Sequence, residues 1–315
     1  MFATRPLGST GFTVPPLCIG TSAIGGIPRI YGYDVDQDQA VRTLRAVFDG
    51  PIRFIDTSNS YGGGESEKRI GAALREIGGL PDDFLLSTKV DPDNTLPVLD
   101  FSGRRVRESL AESMGRLGLD HLPLVHLHDP ERITFEEATA PGGPVEALRE
   151  LKAEGLIGHL GVAGGPIDML RRFVDLGVFE VVITHNRFTL LDRSAGPLLD
   201  HCRQAGVAVV NGAPFGGGIL VKGPESAPRY AYRTASDTVR ERVTAMQRVC
   251  AEAAVPLAAA ALQFSLREPR ITSTIVGITK PERLAETVDL ATLDIPADVW
   301  SELDTLALPE EMWLR

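Results

Sequence analysis

From about residue 40 to the end, short apolar runs alternate with amphipathic stretches, and this alternation limits the possible folds more than any other feature. Leu17–Ile19, Arg53–Ile55, Phe84–Thr88, Leu122–Leu127, His159–Val162, Val181–Thr184, Val207–Val210 and Thr274–Val276 are too short and too apolar for surface helices. They read as strands buried on both faces. Between them apolar residues recur at helical spacing over 37–49, 66–76, 103–117, 145–154, 166–175, 197–205, 256–267 and 281–291, with a further helical stretch at 237–253. Eight strands and about eight helices in strict alternation define an α/β chain. The expected architecture is a (β/α)8 TIM barrel, with the doubly wound sheet as its rival. The Gly- and Pro-punctuated opening, Leu7 to Gly20, reads as an N-terminal β-hairpin. No repeat, low-complexity tract or linker interrupts the chain, so residues 1–315 are expected to form a single domain.

The net charge of −10 disfavours nucleic acid and anionic membranes as partners, because both require a basic face. Neither a signal-like apolar stretch near Met1 nor a run of transmembrane length is present, so the expected setting is cytoplasmic. Cys18, Cys202 and Cys250 are scattered and odd in number, which argues against a disulfide framework or a zinc site.

Three of the apolar runs end in an ionisable residue: Phe54-Ile55-Asp56, Leu85-Leu86-Ser87-Thr88-Lys89 and Leu124-Val125-His126-Leu127-His128, with Tyr61 in the loop after the first. A carboxylate, an ammonium and an imidazole at the ends of successive buried strands would lie together at one rim, where parallel α/β proteins bind ligands. The nucleotide-binding patterns GxGxxG and GxxxxGK[ST] are absent from the early strand-to-helix turns. Gly62-Gly63-Gly64 has neither the spacing nor the lysine and reads as a flexible loop. The later run Ala213-Pro214-Phe215-Gly216-Gly217-Gly218 has backbone suited to cradling a diphosphate.

Phe54-Ile55-Asp56-Thr57, Tyr61-Gly62, Gly64-Glu65-Ser66-Glu67, Ser87-Thr88-Lys89 and Leu127-His128-Asp129-Pro130 resemble, in order and spacing, the signatures of the aldo-keto reductase family. The resemblance runs from Arg5-Pro6-Leu7-Gly8 to Pro281-Glu282-Arg283-Leu284. It implies a catalytic tetrad of Asp56, Tyr61, Lys89 and His128, and a nicotinamide cofactor that carries hydride. It also implies cofactor contacts at Gly20, Thr21, His185, Ala213, Phe215, Gly216, Gly218 and Leu220, with the adenosine-phosphate end on Gly277, Arg283, Glu286 and Thr287. Gly277 stands where NADPH-preferring members often carry a lysine, so NAD is expected ahead of NADP, although Lys280 and Arg283 lie nearby.

The chemistry expected of such a tetrad is proton transfer at Tyr61 coupled to hydride transfer. Bringing a phenol near neutrality takes roughly 4 kcal/mol, about what one ammonium 4 Å away supplies at an effective dielectric of 20. Lys89 is expected to do this, with Asp56 holding Lys89 and His128 positioning the reacting oxygen.

Some positions depart from the family pattern. Gly161-Val162-Ala163-Gly164 replaces a Ser-Asn pair, His185 stands in place of a Gln, and Gly212 stands where an aromatic usually stacks on the nicotinamide. Phe215 and Phe188 are the candidates to replace that aromatic. His185-Asn186-Arg187-Phe188-Thr189-Leu190-Leu191-Asp192, His128-Asp129-Pro130-Glu131 and Gly212 are together similar to the branch containing D-threo-aldose 1-dehydrogenases and pyridoxal 4-dehydrogenases. That resemblance implies oxidation of a small sugar or other hemiacetal to a lactone, with Asn59, Asn186 and Arg187 as candidates for binding ring hydroxyls. Substrate choice is expected to depend on loops 22–33, 91–101, 129–143 and 216–236 and on the tail Pro309 to Arg315; an oligomer is compatible with all of this. One alternative is an NADPH-dependent reductase of aldehydes or ketones. Others are a metal-dependent hydrolase built on His126-x-His128 with His185 and Asp129, and a noncatalytic redox-sensing subunit. No metal is expected in the preferred reading, and His121, His159 and His201 are expected away from the rim.

Overall fold

A computed structural model describes residues 2–93 and 99–314; the middle of the 91–101 loop, and the last residue of the tail, therefore lie outside the described residues. Eight strands pair in parallel and in chain order: β1 (Leu17–Gly20), β2 (Phe54–Asp56), β3 (Leu85–Val90), β4 (Leu122–His128), β5 (Ile157–Gly164), β6 (Val181–His185), β7 (Ala208–Gly212) and β8 (Ser273–Gly277). The sheet closes where β8 meets β1, with Thr274 opposite Leu17 and Gly277 opposite Gly20. Helices α1 (Gln37–Asp49), α2 (Glu65–Ile77), α3 (Gly103–Leu117), α4 (Pro144–Ala153), α5 (Ile167–Asp175), α6 (Gly196–Ala205), α7 (Leu257–Leu266) and α8 (Glu282–Thr292) alternate with the strands. This is the (β/α)8 barrel, and every expected strand and helix is present to within two residues.

Strand alternation decides which residues face the interior. Cys18, Phe54, Leu85, Leu124, Val181, Ile183, Ala208 and Val210 form the packed inside of the barrel, while Leu17, Ile19, Ile55, Leu86, Val125 and Leu127 pack outward under the helices. Continuing the inward parity toward the C-terminal ends reaches Asp56, Ser87 and Lys89, His126 and His128, His185 and Gly212. The ionisable residues therefore occupy the top of an apolar barrel because they sit an even number of positions beyond its core residues.

The opening departs from the expected hairpin spanning Leu7 to Gly20. Arg5–Pro6 pairs with Thr13–Val14, whereas Leu17 begins β1. Pro15 and Pro16 lack the N–H that a continuing ladder requires, so they separate the two elements. Leu7 and Val14 are fully buried and plug the N-terminal mouth of the barrel against Cys18, Phe54 and Leu85.

Between β7 and α7 the chain inserts a short helix (Ile219–Ser226), a two-residue-per-strand hairpin (Arg229–Tyr230 with Arg233–Thr234) and a long helix (Asp237–Glu252). With the C-terminal helix Ala297–Thr305 these enclose a second apolar cluster containing Leu190, Leu191, Ile219, Leu220, Val243, Met246 and Leu303. Among the described residues no single helix is long and apolar enough to cross a membrane. The three cysteines are buried and free.

Candidate active site

Asp56 and Lys89 meet inside the rim as a buried ion pair, with Lys89 Nζ 2.6 Å from Asp56 Oδ2 and each side chain no more than 3% exposed. Taking both charges out of water is costly unless every remaining valence is met, and here the partners are supplied. Ser87 Oγ donates to Asp56 Oδ1 at 2.9 Å, and Lys89 donates a second bond to the Thr57 carbonyl at 2.5 Å.

Tyr61 lies over this pair, with Lys89 Nζ 4.7 Å from the centre of its ring. Its loop is not a flexible glycine tract. Gly62 has φ +66° and passes so close to the short helix Ala23–Gly25 that a Cβ on Gly62 would come within 2.1 Å of the Gly25 oxygen. A Cβ on Gly64 would strike the Arg116 guanidinium at 2.4 Å. The backbone contact at Gly62 admits only glycine, and the positive φ of Gly64, +92°, favours glycine there. Ser66, at the start of α2, ties the ends of β1 and β2 together by bonding the Thr21 hydroxyl at 2.8 Å and the Thr57 hydroxyl at 3.0 Å.

The net shift at Tyr61 runs opposite to the one expected. Burial, followed by the Asp56 carboxylate and weaker contributions from Tyr232, Tyr31 and Asp91, holds the phenol well above its ordinary value. The Lys89 ammonium, paired with Asp56 at 2.6 Å, does not outweigh these contributions. Tyr61 rests as a neutral phenol.

His128 faces Tyr61 edge-on, with ring centres 5.9 Å apart. Its Nδ1 lies 2.7 Å from Asp91 Oδ1, and Asp91 Oδ2 accepts from the Ser58 hydroxyl at 2.5 Å and the Ser60 N–H at 3.1 Å. Burial opposes charge on Asp91, yet the His128 ring and these donors bring its carboxyl down to about 2. Burial likewise opposes charge on His128, but Asp91 and then Asp129 outweigh it and raise the imidazole above its usual value. Asp91 was not among the residues singled out in the sequence. Its position two residues beyond Lys89, just past the end of β3, is the signal that could have found it.

His126 lies a layer deeper, fully buried, with its pKa driven by burial to about 3. Its Nδ1 is 3.4 Å from the Thr88 carbonyl and its Nε2 has no partner, so it is only half satisfied. Gly161 makes room for it, since a Cβ there would come within 2.2 Å of the ring. The metal reading also changes. Among the described residues, the group of potential ligands close enough to share an ion is Asp129, Glu131 and His185, with their ligand atoms within 4.8 Å of one another; His126 is not in it. His121 and His159 bond Gly155 O and Glu180 near the N-terminal ends of the strands, and His201 bonds Asp175.

The other expected contacts divide into those at the rim and those directed elsewhere. Gly20 ends β1, and a Cβ there would meet Ile275 at 2.6 Å; Thr21 is buried with its hydroxyl on the Asp56 carbonyl at 3.0 Å. His185 ends β6, pushed by burial to about 4, with its Nδ1 3.2 Å from the Asn186 amide nitrogen. Ala213, Phe215, Gly216 and Gly218 line the loop after β7, where Gly216, Gly217 and Gly218 all have positive φ and a Cβ on Gly218 would meet nothing within 4 Å. Gly277 ends β8, and Arg283 pairs with Glu286 at 2.7 Å on the exposed face of α8 while the Thr287 hydroxyl bonds the Arg283 carbonyl. Leu220 is different, because its side chain is fully buried in the second apolar cluster and turned into the core.

Asn59 is also directed elsewhere, with its amide bonded to Ser109 O and Glu112 of α3 at 3.0 Å. Phe188 stacks on Phe264 with ring centres 5.0 Å apart and is a core residue. The place of the missing Ser-Asn pair is taken by Glu131, whose Oε1 accepts from Gly165 N at 2.9 Å; a Cβ on Gly164 would approach Oε2 at 2.6 Å. Tyr232, at the tip of the inserted hairpin with φ +68°, leans edge-on against His185 at 6.0 Å. That contact joins residues far apart in sequence and has no local signature.

The Aldo/keto reductase family model matches residues 16–308. The chain belongs to the aldo-keto reductase family. Among its relatives, D-threo-aldose 1-dehydrogenase of Pseudomonas sp is 33% identical, covering 96% of this chain and 97% of that one. L-galactose dehydrogenase of Arabidopsis thaliana is 30% identical, covering 97% and 94%. Pyridoxal 4-dehydrogenase of Microbacterium luteolum is 30% identical, covering 95% and 96%. In fold, the holo form of an aldo-keto reductase from Bacillus halodurans superposes with a TM-score of 0.78 at 21% identity over 98% of this chain and 97% of that one. The protein is an aldo-keto reductase-type, NAD(P)-dependent oxidoreductase.

The residues present fit such a cofactor. Gly217 and Gly218 of the loop after β7 have positive φ, and a Cβ on either would meet no atom closer than 3.7 Å, which leaves room there for a diphosphate; the buried Asn186 Oδ1 beside His185 has no partner. An acceptor of that kind suits a carboxamide nitrogen.

Proposed function

We propose that this aldo-keto reductase oxidises a small aldose, in its cyclic hemiacetal form, at C1 to the lactone, with Tyr61 as general acid/base and NAD as the preferred cofactor. The observation that carries the reading is the convergence of Tyr61, the buried Lys89–Asp56 pair and His128 at one rim of the barrel. The aldose dehydrogenases among the relatives support the substrate class. The bound nicotinamide ring supplies the hydride acceptor. The loop after β7 and Arg283 would hold its phosphates, and His185 with Asn186 its carboxamide. In the oxidative direction the phenolate form of Tyr61 takes the hydroxyl proton and becomes the phenol as hydride leaves C1, and the C1–O single bond becomes the lactone carbonyl. His128 holds the reacting oxygen, and Lys89, tied by Asp56, keeps Tyr61 in place. Gly277 offers no cation to a 2′-phosphate, and a charged hydrogen bond is worth about 1.5–3 kcal/mol. NAD is therefore favoured by roughly one to two decades.

One observation favours a second reading, an NADPH-dependent reductase of aldehydes or ketones: Tyr61 rests protonated, as a proton donor to a carbonyl must. Assay in both directions separates the two. Formation of reduced cofactor from NAD with one of L-fucose, L-galactose, D-arabinose, L-glucose or pyridoxal, lost in Tyr61→Phe, supports the dehydrogenase. NADPH consumption with simple aldehydes and none of the above supports the reductase.

A further inference from the structure

We propose that Asp91 is a positioning residue that fixes the hydrogen-bonding sense of His128, so that the protonation state of this one ring decides whether the site holds an alcohol or a carbonyl. The inference rests on the reading that Tyr61 and His128 flank the reacting oxygen.

The geometry leaves one arrangement for the inner face of the ring. His128 Nδ1 is bounded by two acceptors, Asp91 Oδ1 at 2.7 Å and Ser58 Oγ at 3.2 Å. The Ser58 proton is committed to Asp91 Oδ2 at 2.5 Å, and the Ser60 N–H braces the same oxygen at 3.1 Å. Nδ1 must therefore carry a hydrogen whichever charge the ring has. In the neutral ring Nε2 is then a lone pair that accepts from the anomeric hydroxyl on binding, and the hydroxyl turns its one hydrogen to the Tyr61 phenolate for the chemical step. In the imidazolium Nε2–H donates to a carbonyl oxygen. A neutral ring of the opposite tautomer, which would donate from Nε2 without a positive charge, is excluded by the Asp91 carboxylate.

Other charged and titratable groups surround the ring. Lys89 lies on β3 and Tyr61 on the loop after β2; Asp129, 3.7 Å from Nε2, and Glu131 follow β4. His185 ends β6, and His126 lies one layer below on β4. Of these, Asp91 alone is hydrogen-bonded to Nδ1, and the burial of its side chain, 6% exposed, keeps the bond from being screened. Removing its charge therefore favours the neutral ring, and with it the alcohol-binding state, over a wider pH range.

The test uses the full chain without cofactor. Long-range proton–nitrogen correlation spectra of the protein resolve its six histidines, and His128 is assigned by the resonance lost in His128→Gln. The expected wild-type spectrum shows Nδ1–H throughout the titration, a midpoint above the ordinary histidine value, and a midpoint at least about one unit lower in Asp91→Asn. Carbonyl reduction by Asp91→Asn should fall about tenfold or more in kcat, and its pH profile should shift to lower pH, with KM for the nicotinamide cofactor unchanged. Asp91→Glu should restore part of both. A wild-type His128 with hydrogen on Nε2 alone, or the same midpoint in wild type and Asp91→Asn, would overturn the proposal without reference to activity or to folding of a variant. Retention of turnover in Tyr61→Phe would instead overturn the reading of the site, leaving the tautomer result standing.

Discussion

The site is built from groups that each solve a burial problem, and single substitutions should expose which problem. Tyr61→Phe removes one oxygen from a half-buried ring, so stability should barely change while turnover falls at least about a hundredfold. Lys89→Met removes one partner of a buried pair and strands the Asp56 carboxylate, which should cost roughly 3–5 kcal/mol in denaturant unfolding as well as activity. The pH dependence has a definite sign. Tyr61 is held protonated, so the fraction of phenolate available for hydroxyl oxidation is small at neutral pH and grows with alkalinity. Oxidation rates should rise with pH while reduction rates fall, and parallel pH profiles in the two directions would contradict the assignment. His126 adds a stability effect. Its folded pKa of about 3 lies below the unfolded value of about 6.5. The stability it allows is complete above the unfolded value and is lost progressively as pH falls toward the folded one, because the unfolded chain takes up the proton first. Unfolding free energy should therefore decline by a few kcal/mol across that window.

At the level of elements, the loop carrying Tyr61 is positioned by backbone contact between Gly62 and the short Ala23–Gly25 helix. Gly62→Ala should cost about 2 kcal/mol through a strained φ and a clash with the Gly25 carbonyl. It should also lower kcat, a combination that thermal melts and kinetics can measure together. The same loop shows what a sequence can reveal. Strands and helices were legible because burial on both faces and helical periodicity are local signals, and the ends of β2, β3 and β4 announced Asp56, Lys89 and His128. The hairpin's separation from β1 turns on Pro15 and Pro16, visible in the sequence as punctuation but placed within the hairpin expected over Leu7 to Gly20 and not at its end. Gly62-Gly63-Gly64 looked flexible because nothing local reveals the approach of Gly25 or of Arg116. Asp91 at His128, Glu131 at Gly164 and Tyr232 over His185 depend on which loops meet across the rim, and only the folded barrel brings them together. The same cause turned Asn59 and Leu220 away from the roles expected of them.

For the whole molecule, an apolar barrel closed at its N-terminal mouth by Leu7 and Val14 carries its ionisable groups at the other end, so the scaffold and the chemistry occupy different layers. Closure is reinforced by Arg5, which donates to the Ile271 carbonyl just before β8 at 2.6 Å and to the Leu266 carbonyl at the end of α7 at 2.9 Å. Arg5→Ala should lower the melting temperature by loosening the seam between the first and last strands while leaving KM for the cofactor unchanged. The central claim is that this rim oxidises an aldose hemiacetal through Tyr61. The most direct measurement is formation of reduced nicotinamide from NAD at alkaline pH across the aldose panel, run side by side on wild type and a folded Tyr61→Phe variant. The expected result is reduced cofactor with at least one aldose in the wild type and none in the variant; equal rates in both proteins, or no reduced cofactor with any aldose while NADPH is consumed with simple aldehydes, would contradict the claim.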